Sequence, residues 1–102
     1  MKTMYLESIA SAVSEVCEVT IDDLCSHCKR AELVDARCIF VHYCKVYGFS
    51  NESIMRFLNR TRACVIDNYN ANYHIYRKQS FMFRVFSTKV AEKLAVIFPE
   101  TT

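Results

Sequence analysis

The chain has 102 residues, which is enough for one domain around one hydrophobic core. Hydrophobic residues make up 52% of it, and a single glycine and a single proline exclude glycine-rich phosphate loops and favour helices joined by short turns. The net charge of +2 is uneven, with one basic and five acidic side chains in residues 1–26 and twelve basic and six acidic ones in residues 27–102, which suits either a basic face for a polyanion or a solvated surface without consequence.

The first predicted elements are two helices and a basic loop. Apolar side chains recur at steps of three and four between residues 3 and 17, which predicts an amphipathic helix. Thr20 is a typical N-cap for a second, short helix that ends at Cys25. A polar and basic loop over Ser26–Arg30 follows.

The longest predicted helix begins at Ala31 and stops before Gly48, because glycine is a normal residue just past a helix end. The segment is apolar over most of its surface. A helix of that kind has neighbours on several sides, so we predict that it lies at the centre of the fold.

The second half of the chain is predicted to form three more helices. Ser50 caps a helix that stops at a break over Asn59–Thr61, and the helix after the break runs to about Tyr76. A last helix spans Gln79–Phe98 and is ended by Pro99. The sequence therefore predicts an all-α fold of five to six helices in a single domain that comprises the whole chain.

This order of elements is typical of a helix-turn-helix DNA reader with an additional basic loop beside it. It predicts duplex DNA as the partner and two contact points, one around Lys29 in the loop and one around Arg60 in the second turn. The alternative for the loop is a pair of exposed charges that only keep it soluble.

Three blocks of the sequence, within about residues 9–76, resemble the C-terminal DNA-binding domain of the bacterial replication initiator DnaA. The family has V-T-V-E-D-L-L-S, then a basic loop and an arginine-containing helix, and then the signature G-G-R-D-H-T-T-V. In the signature only Arg60 and Val65 are kept. The matching blocks are Val19–Ser26, Cys28–Arg37 and Phe57–Val65.

The resemblance implies a TrpR-like helix-turn-helix bundle, with residues 77–98 as an additional C-terminal helix. It implies that Lys29 enters the minor groove, that Arg37 contacts the phosphate backbone and that the helix after the turn reads the major groove. A role in replication or transcription control, without ATPase activity, follows from the resemblance alone. The predicted DNA-contacting residues are Lys29, Arg30, Arg37, Arg60, Thr61 and Arg62.

The residues at the second turn are predicted to have different roles. Arginine pairs bidentately with guanine and also binds phosphate, so we predict Arg62 as a base reader and Arg60 as a phosphate contact. Thr61 has the alternative role of a helix cap. Asn68, one to two turns further along, is predicted to be a surface polar residue rather than a contact.

Other site chemistries have less support. Cys25 and Cys28 are spaced like zinc ligands, but Cys38 and Cys44 lie six apart on one helix and cannot form a second close pair, so we predict neither metal nor cofactor. The three histidines are scattered, and we do not expect an enzyme. No apolar run resembles a signal peptide or a membrane helix, so we expect a cytoplasmic protein with free thiols and no membrane partner.

The C-terminal segment is rich in aromatic and other apolar residues. It is predicted either to pack back on the domain or to form a homodimer with a second copy. The alternative to a DNA reader is accordingly a protein-interaction or oligomerisation module that keeps the fold but has lost DNA readout.

Overall fold

A computed structural model describes the backbone of residues 2–98 and the side chains of residues 5–98. The described backbone is helical and contains no strand, which confirms the predicted all-α class. The predicted end of the last helix at Pro99 lies outside the described residues. The elements are α1 (Lys2–Cys17), α2 (Ile21–Cys25), α3 (Ala31–Val46), α4 (Asn51–Leu58), a π-helical segment (Ala63–Asn70), α5 (Ala71–Gln79) and α6 (Phe81–Ile97).

Three local signals lie where the sequence predicts them. The Thr20 hydroxyl accepts a hydrogen bond from the N–H of Asp23 at 3.0 Å, and the Ser50 hydroxyl accepts one from the N–H of Ser53 at 3.2 Å. Gly48 follows α3 with a φ of 87°, in the left-handed region that glycine adopts without strain. Thr20 and Ser50 accept N–H groups that a helix N-terminus leaves unpaired, and Gly48 ends α3.

The central helix is α3, as predicted. It packs against α1, α2, α4, the π-helical segment, α5 and α6. A helix surrounded in this way must be apolar wherever it is covered, and the buried side chains of α3 meet that requirement with one exception, Arg37. The buried residues of α3 are Leu33, Ala36, Arg37, Cys38, Ile39, Phe40, Val41 and Cys44.

A three-residue turn, Asn59–Thr61, joins α4 to the next helix. Asn59 adopts the left-handed conformation (φ 55°, ψ 52°) and ends α4. Thr61 begins the next helix, because its hydroxyl accepts a backbone N–H of the first turn at 3.3 Å. That helix continues to Gln79, about one turn beyond the predicted end at Tyr76.

The first part of this helix is wound as a π-helix, which the sequence pattern did not predict. The residues that it turns toward the core are Val65, Tyr69 and Tyr73, at intervals of four. In an α-helix of about 3.6 residues per turn, positions four apart rotate steadily away from a straight line. The wider i→i+5 turn rotates such positions in the opposite sense, so a π-helical segment followed by an α-helical one keeps all three side chains on the buried side.

Helix α6 packs back on the domain, against α1, α3 and α5. Ser87 of α6 is buried, and its backbone carbonyl accepts a hydrogen bond from the Tyr43 hydroxyl at 3.0 Å. The Ser87 hydroxyl is in turn hydrogen-bonded to the hydroxyls of Tyr43 and Tyr73. Because a buried polar group is costly unless it is paired, this network favours one docked position of α6 on α3 and α5.

The cysteines are free thiols that serve mainly as small apolar groups. Burial raises the pKa of Cys17 to about 11 and that of Cys38 to about 12, and it raises the pKa of Cys44 further. Thiols with such pKa values remain protonated near neutral pH and are poor nucleophiles.

Candidate nucleic-acid interface

The basic loop between α2 and α3 is held in place by Arg37. The Arg37 Nε donates to the carbonyl of Leu24 at 2.7 Å, and Nη1 donates to that of Cys28 at 2.7 Å. The Nη2 atom donates to the carbonyls of Asp23 at 2.9 Å and Ser26 at 2.8 Å. One guanidinium group therefore binds the end of α2 and both parts of the loop that follows it.

The predicted phosphate contact of Arg37 is wrong. Its side chain is only 1% exposed, and its donors are directed at backbone carbonyls. The physical reason is that the last carbonyls of a helix have no partner within the helix, and α2 has only five residues. A buried cation at its C-terminus satisfies these carbonyls and interacts favourably with the helix dipole. Arg37 consequently positions the loop.

Arg60 connects the second turn to the same loop. Its Nη2 atom donates to the carbonyl of Ser26, which also accepts from Nη2 of Arg37. Arg60 is half-buried, and a second donor, Nη1, lies 3.4 Å from the carbonyl of Asn59. The two predicted contact points, which lie about thirty residues apart in sequence, thus meet at one carbonyl oxygen.

Between the loop and the second turn lies a groove with a volume of about 400 Å³. It brings together Lys29, Arg60 and Thr61 of the predicted set, with Arg37 buried at its base. Arg30 and Arg62 are not among the residues that line it. The lining residues are His27, Lys29, Val34, Arg37, Asn59, Arg60, Thr61, Cys64, Asn68 and Tyr69.

Arg30 and Arg62 are exposed and paired with carboxylates. Arg30 lies 3.4 Å from Asp23 and 3.3 Å from Glu32, and Arg62 lies 3.7 Å from Glu52. Exposed ion pairs of this kind contribute little to stability, so either arginine can exchange its carboxylate for another anion at small cost.

Lys29 differs from its neighbours because it forms no ion pair with any described residue. It is exposed in the middle of the loop that Arg37 anchors. A flexible ammonium group on a fixed loop is suited to contact a phosphate or to enter a groove of negative potential.

Thr61 acts as the N-cap of the helix that starts beside the groove. Its hydroxyl accepts from the N–H of Cys64 at 3.3 Å, and its carbonyl accepts from the N–H of Val65 at 3.1 Å. The first N–H groups of a helix lack partners within the helix and attract anions. Thr61 therefore has the geometry of its alternative role as a helix cap. The N-terminus of this helix lies beside Arg60 and Arg62.

Several residues of the groove were missed at the level of sequence. His27, Asn59 and Tyr69 line it, although none of them belongs to the predicted DNA-contacting residues. Asn68, interpreted as a surface polar residue, also lines the groove, with its side-chain oxygen accepting from Asn72 at 2.7 Å. The available signal was its position seven residues after Thr61, which is about two turns along the same helix face.

The cysteine pattern does not assemble a metal site among the described residues, since no three potential ligands lie together there. The Cys25 thiol donates to the carbonyl of Phe57 at 3.4 Å, whereas Cys28 is exposed. Burial is the main cause that raises the pKa of Cys25, with Asp22 adding to it. Cys25 therefore joins α2 to α4.

No helix within residues 2–98 has the length and apolar character required to span a bilayer. Comparisons of the chain with protein families, with curated proteins and with solved structures gave no match. The resemblance to the DnaA C-terminal domain thus rests on the sequence blocks alone and stays a prediction.

Proposed function

We propose that this protein binds duplex DNA across the groove between the α2–α3 loop and the start of the helix that follows Asn59–Thr61. The observation that supports the proposal best is the shared hydrogen-bond acceptor, the carbonyl of Ser26, which Arg37 and Arg60 both bind. It joins two basic segments, far apart in sequence, into one surface. A surface of this kind matches the two contact points expected of a helix-turn-helix reader with a basic loop.

The charges around the groove suit contact with the sugar–phosphate backbone. Lys29 is unpaired among the described residues, Arg60 lies in the groove, and Arg30 and Arg62 are held only by exposed carboxylates. Phosphates can replace those carboxylates, because charge-assisted contacts between arginine and phosphate are among the stronger hydrogen bonds of proteins. Four such contacts make binding depend steeply on salt.

The finer features of the proposal derive from the resemblance. In a TrpR-like arrangement, Lys29 enters the minor groove and the helix that begins at Arg62 lies in the major groove. Arg62 is then placed to read a guanine, and replication or transcription control is the setting. Because the signature is altered, the site that DnaA recognises is not assumed to be the target.

A salt titration with one matched control tests this function. Lys29→Gln removes an exposed charge from the groove, and Lys78→Gln removes an exposed charge from the end of α5, outside it. With about four phosphate contacts, binding of labelled duplex weakens about 100-fold between about 50 and about 200 mM salt. Lys29→Gln lowers the salt slope by about one unit, whereas Lys78→Gln leaves it unchanged.

Two results would contradict the proposal. One is the absence of salt-sensitive binding to any duplex at about 50 mM salt. The other is an equal loss of affinity in both lysine variants, because this outcome would attribute binding to net charge rather than to the groove.

A further inference from the structure

The outer face of α6 carries a stripe of residues that the domain itself does not cover. The buried side of the helix is formed by Phe83, Val90 and Leu94, and the stripe lies on the opposite side. Three of its members are apolar, and two of these, Phe81 and Val96, are 69% and 80% exposed. We call this set the α6 stripe: Phe81, Val85, Thr88, Lys89, Glu92 and Val96.

The spacing of the α6 stripe is that of a helix-pairing seam. Its members follow one another at steps of three and four, apart from the adjacent pair Thr88 and Lys89, and all except Val96 line one shallow depression of about 450 Å³. Val96 lies four residues beyond Glu92, on the same face. Single exposed apolar side chains are ordinary, but an aligned set along four turns of one helix is a surface that another helix can cover.

The charges of the α6 stripe favour a second copy of this chain as the partner. Lys89 and Glu92 are both exposed, and neither forms an ion pair with any described residue. They lie three residues apart, with apolar residues toward both ends of the stripe. When the helix is turned end to end, its positive centre faces its negative centre, so the stripe is complementary to itself.

We propose that two copies of this protein associate through antiparallel α6 helices, with Lys89 of each copy paired with Glu92 of the other. The same register sets Val85 against Val96, with Phe81 covering the outer side of that contact. A parallel arrangement would place Lys89 against Lys89 and Glu92 against Glu92, which is repulsive. The interface is isologous, as expected for a two-fold dimer.

The predicted dimer is a weak one and does not depend on the proposed DNA binding. One helix face provides an interface at or below the small end of specific interfaces, about 1,200 Å² in total. None of the residues that line the groove belongs to the α6 stripe. A dimer therefore leaves both grooves free, and it can be measured without DNA.

Charge exchange tests the pairing by sedimentation equilibrium without DNA, over protein concentrations from about 1 µM to about 1 mM. Lys89→Glu and Glu92→Lys each place like charges opposite one another twice in the dimer, and each weakens self-association about tenfold. An equimolar mixture of the two variants forms a heterodimer, because both pairs then have opposite charges. The double variant Lys89→Glu/Glu92→Lys regains the wild-type association.

Matched controls are Arg56→Glu on α4 and Glu7→Lys on α1, which make the same charge changes at exposed sites outside the α6 stripe. They leave self-association unchanged, separately and when mixed. The proposal is overturned if the wild type stays monomeric throughout the concentration range. It is equally overturned if the stripe variants associate like the wild type, or if mixing them restores no more association than mixing the controls.

Discussion

At the scale of single residues, the same side-chain type serves two purposes in this protein. Arg37 is buried and binds four backbone carbonyls, whereas Arg62 is exposed and held by one carboxylate. Sequence alone shows a positive charge in both places. Their surroundings determine their roles. A guanidinium that is bound to helix-end carbonyls stabilises the fold, whereas an exposed one can bind a partner.

Arg37→Met is expected to destabilise the domain strongly. It keeps much of the apolar stem but leaves the carbonyls of Leu24 and Cys28 without their donor, at a cost of about 3 kcal/mol and more than about 10 °C in the unfolding midpoint. Arg37→Lys retains the charge but lacks the planar guanidinium group. Its unfolding midpoint should therefore lie between those of Arg37→Met and the wild type. Thermal unfolding followed by circular dichroism measures all three.

A different result for Arg37 would revive the phosphate contact. If Arg37→Met has the same unfolding midpoint as the wild type but a lower affinity for duplex DNA, the guanidinium contacts DNA rather than the loop.

Glu52→Gln is expected to tighten DNA binding. Glu52 lies 3.7 Å from Arg62, and the amide removes the ion pair together with one negative charge beside the helix N-terminus. Because exposed pairs are worth about 0.2–1 kcal/mol, affinity should rise by a factor between about 1.4 and about 5 at low salt. Anisotropy titrations against Glu7→Gln, an exposed carboxylate on α1, separate this local effect from net charge. Equal gains in both variants would argue against a contact by Arg62.

At the scale of elements, the sequence predicts what is decided locally. Thr20, Ser50 and Gly48 lie at helix ends as expected, because capping depends on a few neighbouring residues. The π-helical segment depends on which side chains α3 will meet, and the burial of Arg37 depends on carbonyls up to fourteen residues away. Such features follow from packing between elements, which a local pattern does not contain.

The contact between α3 and α5 makes stability depend on pH. The His42 ring stacks on Tyr73 with 3.7 Å between centroids, and burial, with His74 and Arg77 adding to it, lowers the His42 pKa from 6.5 to about 4. Between these values the unfolded chain holds a proton that the folded protein does not. Lowering the pH through this window therefore favours unfolding.

His42→Phe is expected to flatten that dependence. Phenylalanine keeps an aromatic ring against Tyr73 and cannot take up a proton. Between about pH 7 and about pH 4.5 the unfolding midpoint should fall less in the variant than in the wild type. An identical fall in both proteins would show that other groups govern the acid response.

At the scale of the whole molecule, the division of charge along the chain is not a division in space. Asp23 and Glu15 belong to the acidic first quarter, yet they pair with Arg30 and Lys93 from the basic remainder. The domain measures 32 × 29 × 22 Å, so its longest dimension is close to one turn of duplex, which is about 34 Å. Because acidic and basic segments are interleaved in space, the candidate basic surface is the groove, which Lys29 and Arg60 both line.

The most direct test of the account is a titration of ¹⁵N-labelled protein with a short duplex, followed residue by residue through amide chemical shifts. If DNA binds across the groove, the largest changes fall in two separate segments, residues 26–30 and residues 59–64, and on Asn68, with α6 nearly unaffected. Changes confined to one of the two segments, or concentrated on α6, would contradict a DNA interface built across the groove.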